Sequence, residues 1–321
     1  MKIAVVGMGM MGQLHARTLS GLPEVELVAV EVDESTRTAT QRDLGIESRP
    51  ALTDDLLGSV DAVVVTLPDH LHVDTTIRAL QAGTHVLVEK PLAASVTDCD
   101  RILAAETTPG RLMVGHLLRF DERLRELKRR LDAGALGTVR HIRIHRANSA
   151  ATGERLAGRV SVVGFLGVHD LDLLLWLTGQ QIESVSARGR RVHSNTWDVA
   201  SATLDLTDGT LAQVDNHWLL HRASARSLLA GVEVYGDRGT ALVDLSTSEL
   251  ELITDTDPRS VRVDSHNWTH DSTVSGGALH RQDAAFVEAV RTGGPVPVTG
   301  HDGRRAVDAV ERIEAALAAS G

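Results

Sequence analysis

The chain has 321 residues, 42% hydrophobic and 24% charged, which allows one large or two medium folded domains and excludes a disordered chain. Its formal net charge of -10 excludes a general electrostatic attraction to nucleic acid, so any bound phosphate must be held locally. A single cysteine, Cys99, excludes a disulfide framework, and the lack of a predicted signal peptide or membrane span favours a cytoplasmic location.

Residues 1–118 alternate between short β-branched runs and amphipathic stretches, a pattern typical of a parallel sheet that is buried on both faces. This pattern predicts strands at 2–6, 25–30, 62–67, 85–88 and 112–114, and helices at 11–20, 37–44, 74–82 and 96–105. Because βαβ crossovers are right-handed, we expect a doubly wound Rossmann sheet with a ligand crevice at the carboxyl ends of its strands.

Residues 119–321 have a different pattern. Longer runs of alternating polar and apolar residues, typical of strands, are joined by turns such as Asp208-Gly209. Strands are predicted at 139–145, 184–191, 201–207, 210–218, 232–235 and 250–254, and helices at 122–133, 167–177, 282–290 and 303–319. The sequence therefore predicts a second α+β domain with a mostly antiparallel sheet.

Residues 7–12 read Gly-Met-Gly-Met-Met-Gly, directly after the first predicted strand and at the start of the first predicted helix. In that context the first glycine permits a tight turn, the second lets the backbone approach a pyrophosphate, and the third lets the helix pack closely. A glycine-rich turn without a ligand is the alternative. The predicted cofactor contacts here are Gly7, Gly9, Met10, Met11 and Gly12.

An acidic residue, Glu31, ends the second predicted strand about 20 residues beyond the glycine motif. A carboxylate there hydrogen-bonds the ribose hydroxyls of NAD and repels the 2′-phosphate of NADP. Asp33 is an alternative carrier of this role, and a solvated loop acid is the other interpretation. Arg37 lies close enough in sequence to bind a 2′-phosphate, so the sequence leaves open the choice between NAD and NADP.

Two further segments follow predicted Rossmann strands at the edge where a cofactor lies. The first contains Leu67, Pro68 and His72, and the second ends in Glu89-Lys90-Pro91. Burial of a lysine is costly unless it has a partner, so we expect Lys90 to point into the crevice and to polarise a carbonyl or stabilise an alkoxide. The alternative is a lysine that reaches solvent from a strand end.

These motifs together resemble the glucose–fructose oxidoreductase/inositol dehydrogenase/MocA family over essentially the whole chain. The similarity is strongest in Glu89-Lys90-Pro91 and weaker in the C-terminal segments 280–286 and 293–299. The other segments that carry it are Gly7-x-Gly9-x-x-Gly12, Pro68-x-x-x-His72, Ala82-Gly83-x-His85-Val86, Gly115-His116-x-x-Arg119-Phe120 and Gly167-x-His169-Asp170-x-Asp172.

The resemblance implies a substrate site between the two domains and a large open sheet in the second, which often forms the interface of a homodimer or homotetramer. It implies that Lys90 sits in the catalytic centre, with a cis peptide bond to Pro91, and that His169 is the acid/base toward the reacting hydroxyl. It also implies contacts to the cofactor from Glu89, Lys90, Leu67, Pro68 and His72, and to the substrate from His116, Arg119, Trp218 and His280.

One position departs from the family pattern. Inositol-dehydrogenase-like members carry an aspartate four residues before the catalytic histidine, where this chain has Phe165. Either His169 and Lys90 suffice, or the substrate differs, or the chemistry is lost. Asp172 follows His169 by three residues, so on a helix it is placed to orient the imidazole, and Phe165 is expected to form an apolar wall of the substrate pocket.

The expected function is an NAD(P)-dependent oxidoreductase that moves a hydride to or from a secondary alcohol/ketone carbon of a sugar, sugar derivative or cyclitol. A glycoside-cleaving enzyme that uses NAD transiently and a catalytically inactive cofactor-binding sensor are the alternatives. The chain has fifteen histidines, but none lies in a metal-ligand spacing such as HExxH, so no metal site is predicted. The expected partners are a small polyol and further copies of the chain, with neither nucleic acid nor membrane.

Overall fold

The computed structural model describes residues 1–156, 158–221, 228–246, 249–254, 260–262 and 276–320. The chain divides into two compact units. The first unit contains Met1–Phe120 and the described residues of the segment that ends at Val307. The second unit contains the described residues between Asp121 and Ser265, together with the end of the chain from Asp308.

The first unit is built on a six-stranded parallel sheet with the strand order β3-β2-β1-β4-β5-β6. Its strands are β1 (Lys2–Val6), β2 (Glu26–Val30), β3 (Glu47–Arg49), β4 (Ala62–Val65), β5 (His85–Glu89) and β6 (Leu112–Gly115). Its first five helices are α1 (Met10–Ser20), α2 (Glu34–Leu44), α3 (Asp54–Leu57), α4 (His72–Gln81) and α5 (Val96–Ala105). The predicted Rossmann fold is therefore confirmed.

The sheet is apolar throughout its centre, as a parallel sheet covered on both faces requires. Every residue of β4 is fully buried, and β1, β5 and β6 contribute to the same core. The strand order reverses between β1 and β4, so the crevice at their carboxyl ends is the topological switch point at which such sheets bind ligands.

The C-terminal helix α9 (Gly277–Thr292) belongs to the first unit, as does the beginning of α10 (Gly300–Ala319). All residues after 118 were predicted to form the second domain, whereas α9 and the beginning of α10 group with the first unit. The physical reason is that Ala278, Phe286 and Ala289 complete the core of the parallel sheet. In addition, Arg281 Nε donates a hydrogen bond of 2.7 Å to the backbone oxygen of Phe120.

The second unit is built on an eight-stranded sheet with the order β14-β13-β12-β11-β7-β10-β9-β8. Its strands are β7 (Val139–Ser149), β8 (Ile182–Arg190), β9 (Val199–Leu206), β10 (Leu211–Leu220), β11 (Leu228–Gly236), β12 (Gly239–Asp244), β13 (Glu249–Thr254) and β14 (Ser260–Arg262). Its helices are α6 (Glu122–Asp132), α7 (Ala150–Leu156), α8 (Val168–Thr178) and the part of α10 from Asp308 onward. Only the β7–β10 pair is parallel among these, so the predicted mostly antiparallel sheet is confirmed.

The two faces of this sheet differ in polarity because side chains alternate along each strand. On β10, Ala212, Val214 and Trp218 point to the buried face, which helix α8 covers. The other face carries partly exposed charges: Arg143 lies 3.5 Å from Asp215 and 3.3 Å from Glu233. No helix among the described residues is both long and apolar enough to cross a membrane.

Candidate functional site

Four neighbouring strands of the first unit end level with one another. A row of paired valines crosses the sheet at this edge, formed by Val30, Val6, Val65 and Val88. Gly7 and Glu31 directly follow two of these valines, and Lys90 follows the fourth by two residues. Three predicted site residues therefore leave the sheet at the same edge.

The loop between β1 and α1 is closely packed at its first glycine. Gly7 has a φ of 93°, a conformation that favours glycine, and a Cβ there would lie 3.0 Å from Leu67 Cδ2. The Thr66 hydroxyl donates a hydrogen bond of 2.6 Å to the Gly7 oxygen. The loop is thus held against the end of β4.

The other two glycines differ sharply in the space around them. A Cβ on Gly12 would lie 1.9 Å from the Gly7 oxygen, so only glycine lets α1 approach the loop this closely. A Cβ on Gly9 would meet nothing within 4 Å. Gly9 is the N-cap of α1 and has no side chain to bind the first N–H groups of the helix, which leaves these donors for an anion. The loop therefore fits a pyrophosphate.

Glu31 lies beside a cavity of about 390 Å³. Its Oε2 accepts a hydrogen bond of 2.8 Å from Met8 N, and its Oε1 accepts one of 3.0 Å from Asp33 N. A carboxylate next to apolar walls suits the ribose and adenine of a dinucleotide. The walls are formed by Val6, Gly7, Val30, Val32, Pro50, Ala51, Leu52, Leu67 and Leu71, and the remaining lining residues are Asp74, Thr75 and Arg78.

Asp33 and Arg37 have structural partners in this region. Asp33 caps α2 by accepting hydrogen bonds from the Ser35 hydroxyl and Thr36 N, at 2.6 and 2.7 Å, and these bonds lower the pKa of Asp33 to about 2. Arg37 Nη1 donates to the backbone oxygens of Glu31 and Val32, at 2.8 and 2.7 Å. The guanidinium is thus anchored at the end of β2, which favours Glu31 as the residue that meets the ribose.

Lys90 is half-buried and follows β5 directly, and its peptide bond to Pro91 is cis, as the resemblance implied. His72, a predicted cofactor contact, is buried under the same edge. Its Nδ1 lies 2.8 Å from the Pro91 oxygen and its Nε2 lies 2.9 Å from the Leu67 oxygen. His72 therefore holds together the two loops that carry Leu67 and Lys90, while Pro68 is exposed.

Glu89 points away from solvent, with 6% of the residue exposed. Its Oε1 lies 3.1 Å from His15 Nε2. Burial alone would raise the pKa of Glu89, but the hydrogen bond and the charge of His15 lower it. The structure places this carboxylate in the interior, against a histidine that the sequence analysis did not select.

Three predicted substrate contacts lie in the first unit. His116 is buried just after β6, and His280 is half-buried on α9. Arg119 is buried, and its Nη2 lies 3.3 Å from Asp302 Oδ1. Burial alone would raise the pKa of Asp302, but the charge of Arg119 and hydrogen bonds from Thr299 lower it to about 2. Their contact with substrate stays a prediction.

The predicted acid/base, His169, lies in the first turn of α8 in the second unit and is half-buried. A π-helical turn, Val163–Gly167, precedes it and contains Phe165. The Phe165 ring is tilted by 50° against the buried Trp218, with ring centroids 5.6 Å apart. An aromatic contact therefore occupies the position where the family pattern expects a carboxylate.

The neighbour of His169, Asp170, was not predicted as a site residue, yet it anchors the start of α8. It is fully buried, and its two oxygens accept hydrogen bonds from Arg146 Nε at 2.9 Å and Asn216 Nδ2 at 2.7 Å. These partners fix the first turn of α8 to β7 and β10. Asp172 is also buried, and its predicted role toward His169 stays a prediction.

No group of three or more His, Cys, Asp or Glu side chains suited to a metal ion occurs in the described part of the chain. The backbone N–H groups and charged side chains at the strand edge are instead suited to a dinucleotide. A glycine loop before α1 and an acid after β2 define the class of NAD-binding Rossmann domains, and Lys90 leaves the same edge of the sheet.

Comparison with known proteins gives the family. Residues 1–116 match the model of the oxidoreductase family with an NAD-binding Rossmann fold, and residues 124–242 match the GFO/IDH/MocA C-terminal domain. The chain belongs to the GFO/IDH/MocA oxidoreductase family. The predicted family and the predicted NAD-binding fold are confirmed.

Similar proteins include two enzymes of Saccharopolyspora erythraea. Inositol 2-dehydrogenase 1 is 36% identical over 203 residues, and the match spans 60% of this chain but only 59% of that relative. Inositol 2-dehydrogenase 4 is 30% identical over 97% of this chain and 91% of its own length. The solved structure of UDP-N-acetylglucosamine 3-dehydrogenase from Acidithiobacillus ferrooxidans has a TM-score of 0.85 at 24% identity, covering 99% of this chain and 98% of its own.

The contrast between Gly9 and Gly12 predicts two different defects. Gly9→Ala should leave the melting temperature unchanged but weaken NAD⁺ binding by at least about tenfold, because the new methyl group occupies the space where the backbone approaches the pyrophosphate. Gly12→Ala should weaken binding and also lower the melting temperature, since its Cβ collides with the Gly7 oxygen. Calorimetric titration and thermal unfolding measure both quantities, and full NAD⁺ affinity in Gly9→Ala would contradict this assignment.

The position of Glu31 predicts tighter binding of NAD(H) than of NADP(H). Glu31→Gln should narrow the difference, because it removes the charge that repels a 2′-phosphate while keeping an oxygen that accepts the Met8 N–H bond. Glu26→Gln, at the opposite end of β2, is the matched control and should leave the preference unchanged. Fluorescence titration decides the matter, and equal or tighter binding of NADP(H) by the unchanged protein would rule out this role of Glu31.

Proposed function

We propose that the protein is an NAD-dependent dehydrogenase or reductase that transfers a hydride between the nicotinamide and a secondary alcohol/ketone carbon of a cyclitol, sugar or sugar derivative. The observation that carries this proposal is the common edge from which the glycine loop, Glu31 and Lys90 leave neighbouring strands. Such an edge brings a charged side chain to the end of the sheet where a dinucleotide binds. The two inositol 2-dehydrogenases among the relatives support a cyclitol.

Bound NAD⁺ supplies the acceptor for the hydride. The ammonium of Lys90 then stabilises the negative charge that develops on the substrate oxygen, and a half-buried position strengthens this interaction relative to bulk water. His169 accepts the hydroxyl proton as general base, and returns it in the reverse direction. Asp172 favours the imidazolium form of His169, and Phe165 contributes apolar surface to the substrate.

We also propose that the protein works as a homodimer or homotetramer in the cytoplasm, with the outer face of the second unit's sheet as the interface. The paired charges of Arg143, Asp215 and Glu233 on that face support this arrangement, because charges held in position across a sheet offer an interface of defined register.

The test of the proposed function is a screen of inositols, sugars, sugar phosphates and nucleotide sugars for a change in NAD(P)H absorbance. Turnover with at least one cyclitol or sugar is expected. Product formation without net NADH would instead indicate a glycoside-cleaving enzyme that uses NAD transiently. NAD binding without turnover of any compound would indicate a sensor.

Once a substrate is found, the catalytic residues can be tested by substitution. Lys90→Ala should keep NAD binding and the melting temperature but lose about 10²-fold or more in kcat, the usual scale for one acid/base or oxyanion contributor. His169→Ala should abolish most turnover and Asp172→Asn should impair it, whereas Lys128→Ala on α6 is the control and should retain full activity. An unchanged kcat in His169→Ala would discard its role as proton relay, and an unfolded Lys90→Ala would make that lysine structural.

A further inference from the structure

One face of helix α4 lines the cavity beside Glu31. The residues of this face are spaced three or four apart, so they follow one side of the helix from its N-cap onward: Leu71, Asp74, Thr75 and Arg78. Residues 50–52, which leave the sheet after β3, line the same cavity. Two parts of the chain that are distant in sequence therefore border one cavity.

Arg78 joins these two parts of the cavity wall. Its Nη1 donates a hydrogen bond of 2.5 Å to the backbone oxygen of Leu52. Its Nη2 and Nε donate to Oδ1 of Asp54, the first residue of α3, at 2.6 and 3.2 Å. The guanidinium therefore binds the chain on both sides of Thr53, the residue that caps α3.

Residues 50–52 lie at the edge of the parallel sheet. β3 is the outermost strand, and its pairing with β2 ends where Arg49 lies beside Val30. Pro50 and Ala51 are exposed, whereas Leu52 is buried in the core. Beyond the last strand pair, the hydrogen bonds from Arg78 tie this segment to α4.

These contacts are better suited to fixing a local position than to stabilising the whole fold. The side chains of Arg78 and Asp54 are 46% and 90% exposed. Exposed ion pairs contribute little to the free energy of unfolding, because water screens the charges and the two side chains lose conformational freedom. The bond to the Leu52 oxygen, in contrast, directly restrains the backbone of the cavity wall.

The position of this wall indicates which part of NAD it meets. In the cofactor, the adenosine ribose connects the pyrophosphate to the adenine. With the pyrophosphate at the glycine loop and the ribose at Glu31, the adenine is left with the part of the cavity that residues 50–52 and α4 line. The apolar side chains of Ala51, Leu52 and Leu71 suit a flat purine ring.

We propose that Arg78 is a positioning residue for the adenosine half of NAD, and that it holds residues 50–52 in place as a preformed wall of the adenine pocket. A wall that is already ordered spares the cofactor the cost of ordering it, so the affinity increases. This inference rests on the assignment of the cavity to NAD and is independent of the substrate.

Arg78→Met tests the proposal, because it keeps an unbranched side chain and removes every N–H donor. Calorimetric titration measures NAD⁺ and its two halves, 5′-AMP and nicotinamide mononucleotide. NAD⁺ and AMP should each bind about tenfold more weakly, the scale expected for ordering one short segment, while the affinity for nicotinamide mononucleotide stays unchanged.

Arg304→Met is the matched control. Arg304 of α10 pairs with Asp100 of α5, at 2.5 Å between Nε and Oδ1, so it also joins two elements that are distant in sequence. It lies outside the cavity lining, and its replacement should leave all three affinities unchanged.

Hydrogen exchange in the cofactor-free protein separates a positioning role from direct contact with the adenine. Peptides that cover residues 50–57 should exchange faster in Arg78→Met than in the unchanged protein, because the segment has lost its anchor. Weaker AMP binding with unchanged exchange would make Arg78 a ligand contact and overturn the proposal. Unchanged AMP affinity, or equal losses for AMP and nicotinamide mononucleotide, would overturn it as well.

Asp54→Ala carries the test should Arg78→Met fail to fold, since the removed carboxylate is largely exposed and the guanidinium is then held by Leu52 alone. This variant should speed exchange in the same peptides and weaken AMP binding about threefold, the scale of one exposed ion pair, and no change in either quantity contradicts the proposal. Neither measurement needs a polyol, so a failed substrate screen would refute the proposed function while leaving this result readable.

Discussion

The close approach of α1 to the end of β1 is the constraint on which the nucleotide-binding edge depends. Because Gly12 has no side chain, the helix begins within contact of the Gly7 oxygen, and the loop between them is fixed from both sides by Thr66 and Glu31. The first turn of α1 is thereby aimed at open space above Gly9. One contact between backbone atoms thus sets the position of the donors that an anion would meet.

Local patterns in the sequence were enough to predict most strands of the first unit. The buried strands of a parallel sheet are nearly continuous apolar runs, so β1, β2, β4, β5 and β6 were predicted within a few residues of their observed bounds. Short elements such as β3 and α3 were missed because three or four residues have no period to detect. The π-helical turn before α8 was missed for a related reason, since its sequence is continuous with an ordinary helix.

The candidate site was predictable where it depends on strand ends and less so where it depends on distant partners. Gly7, Glu31 and Lys90 follow predicted strands, and their common edge could be inferred from topology alone. The cap formed by Asp33 and the anchoring of Arg37 needed the structure, because Asp33 binds a backbone N–H and Arg37 binds backbone oxygens that the sequence pattern does not specify. His15 Nδ1 lies 2.9 Å from Asp283 Oδ1, but the two residues are 268 positions apart in the chain, and no local pattern joins them.

The membership of α9 in the first unit has a consequence for how this protein is made. The core of the parallel sheet is incomplete without Phe286, and His15 lacks its Asp283 contact until the same helix is present. During synthesis the N-terminal strands therefore leave the ribosome long before their last packing partner, and the intervening second unit is translated first. The nucleotide-binding unit is consequently assembled from two segments that lie far apart in the sequence, and a truncation after residue 120 would isolate a sheet with part of its apolar surface uncovered.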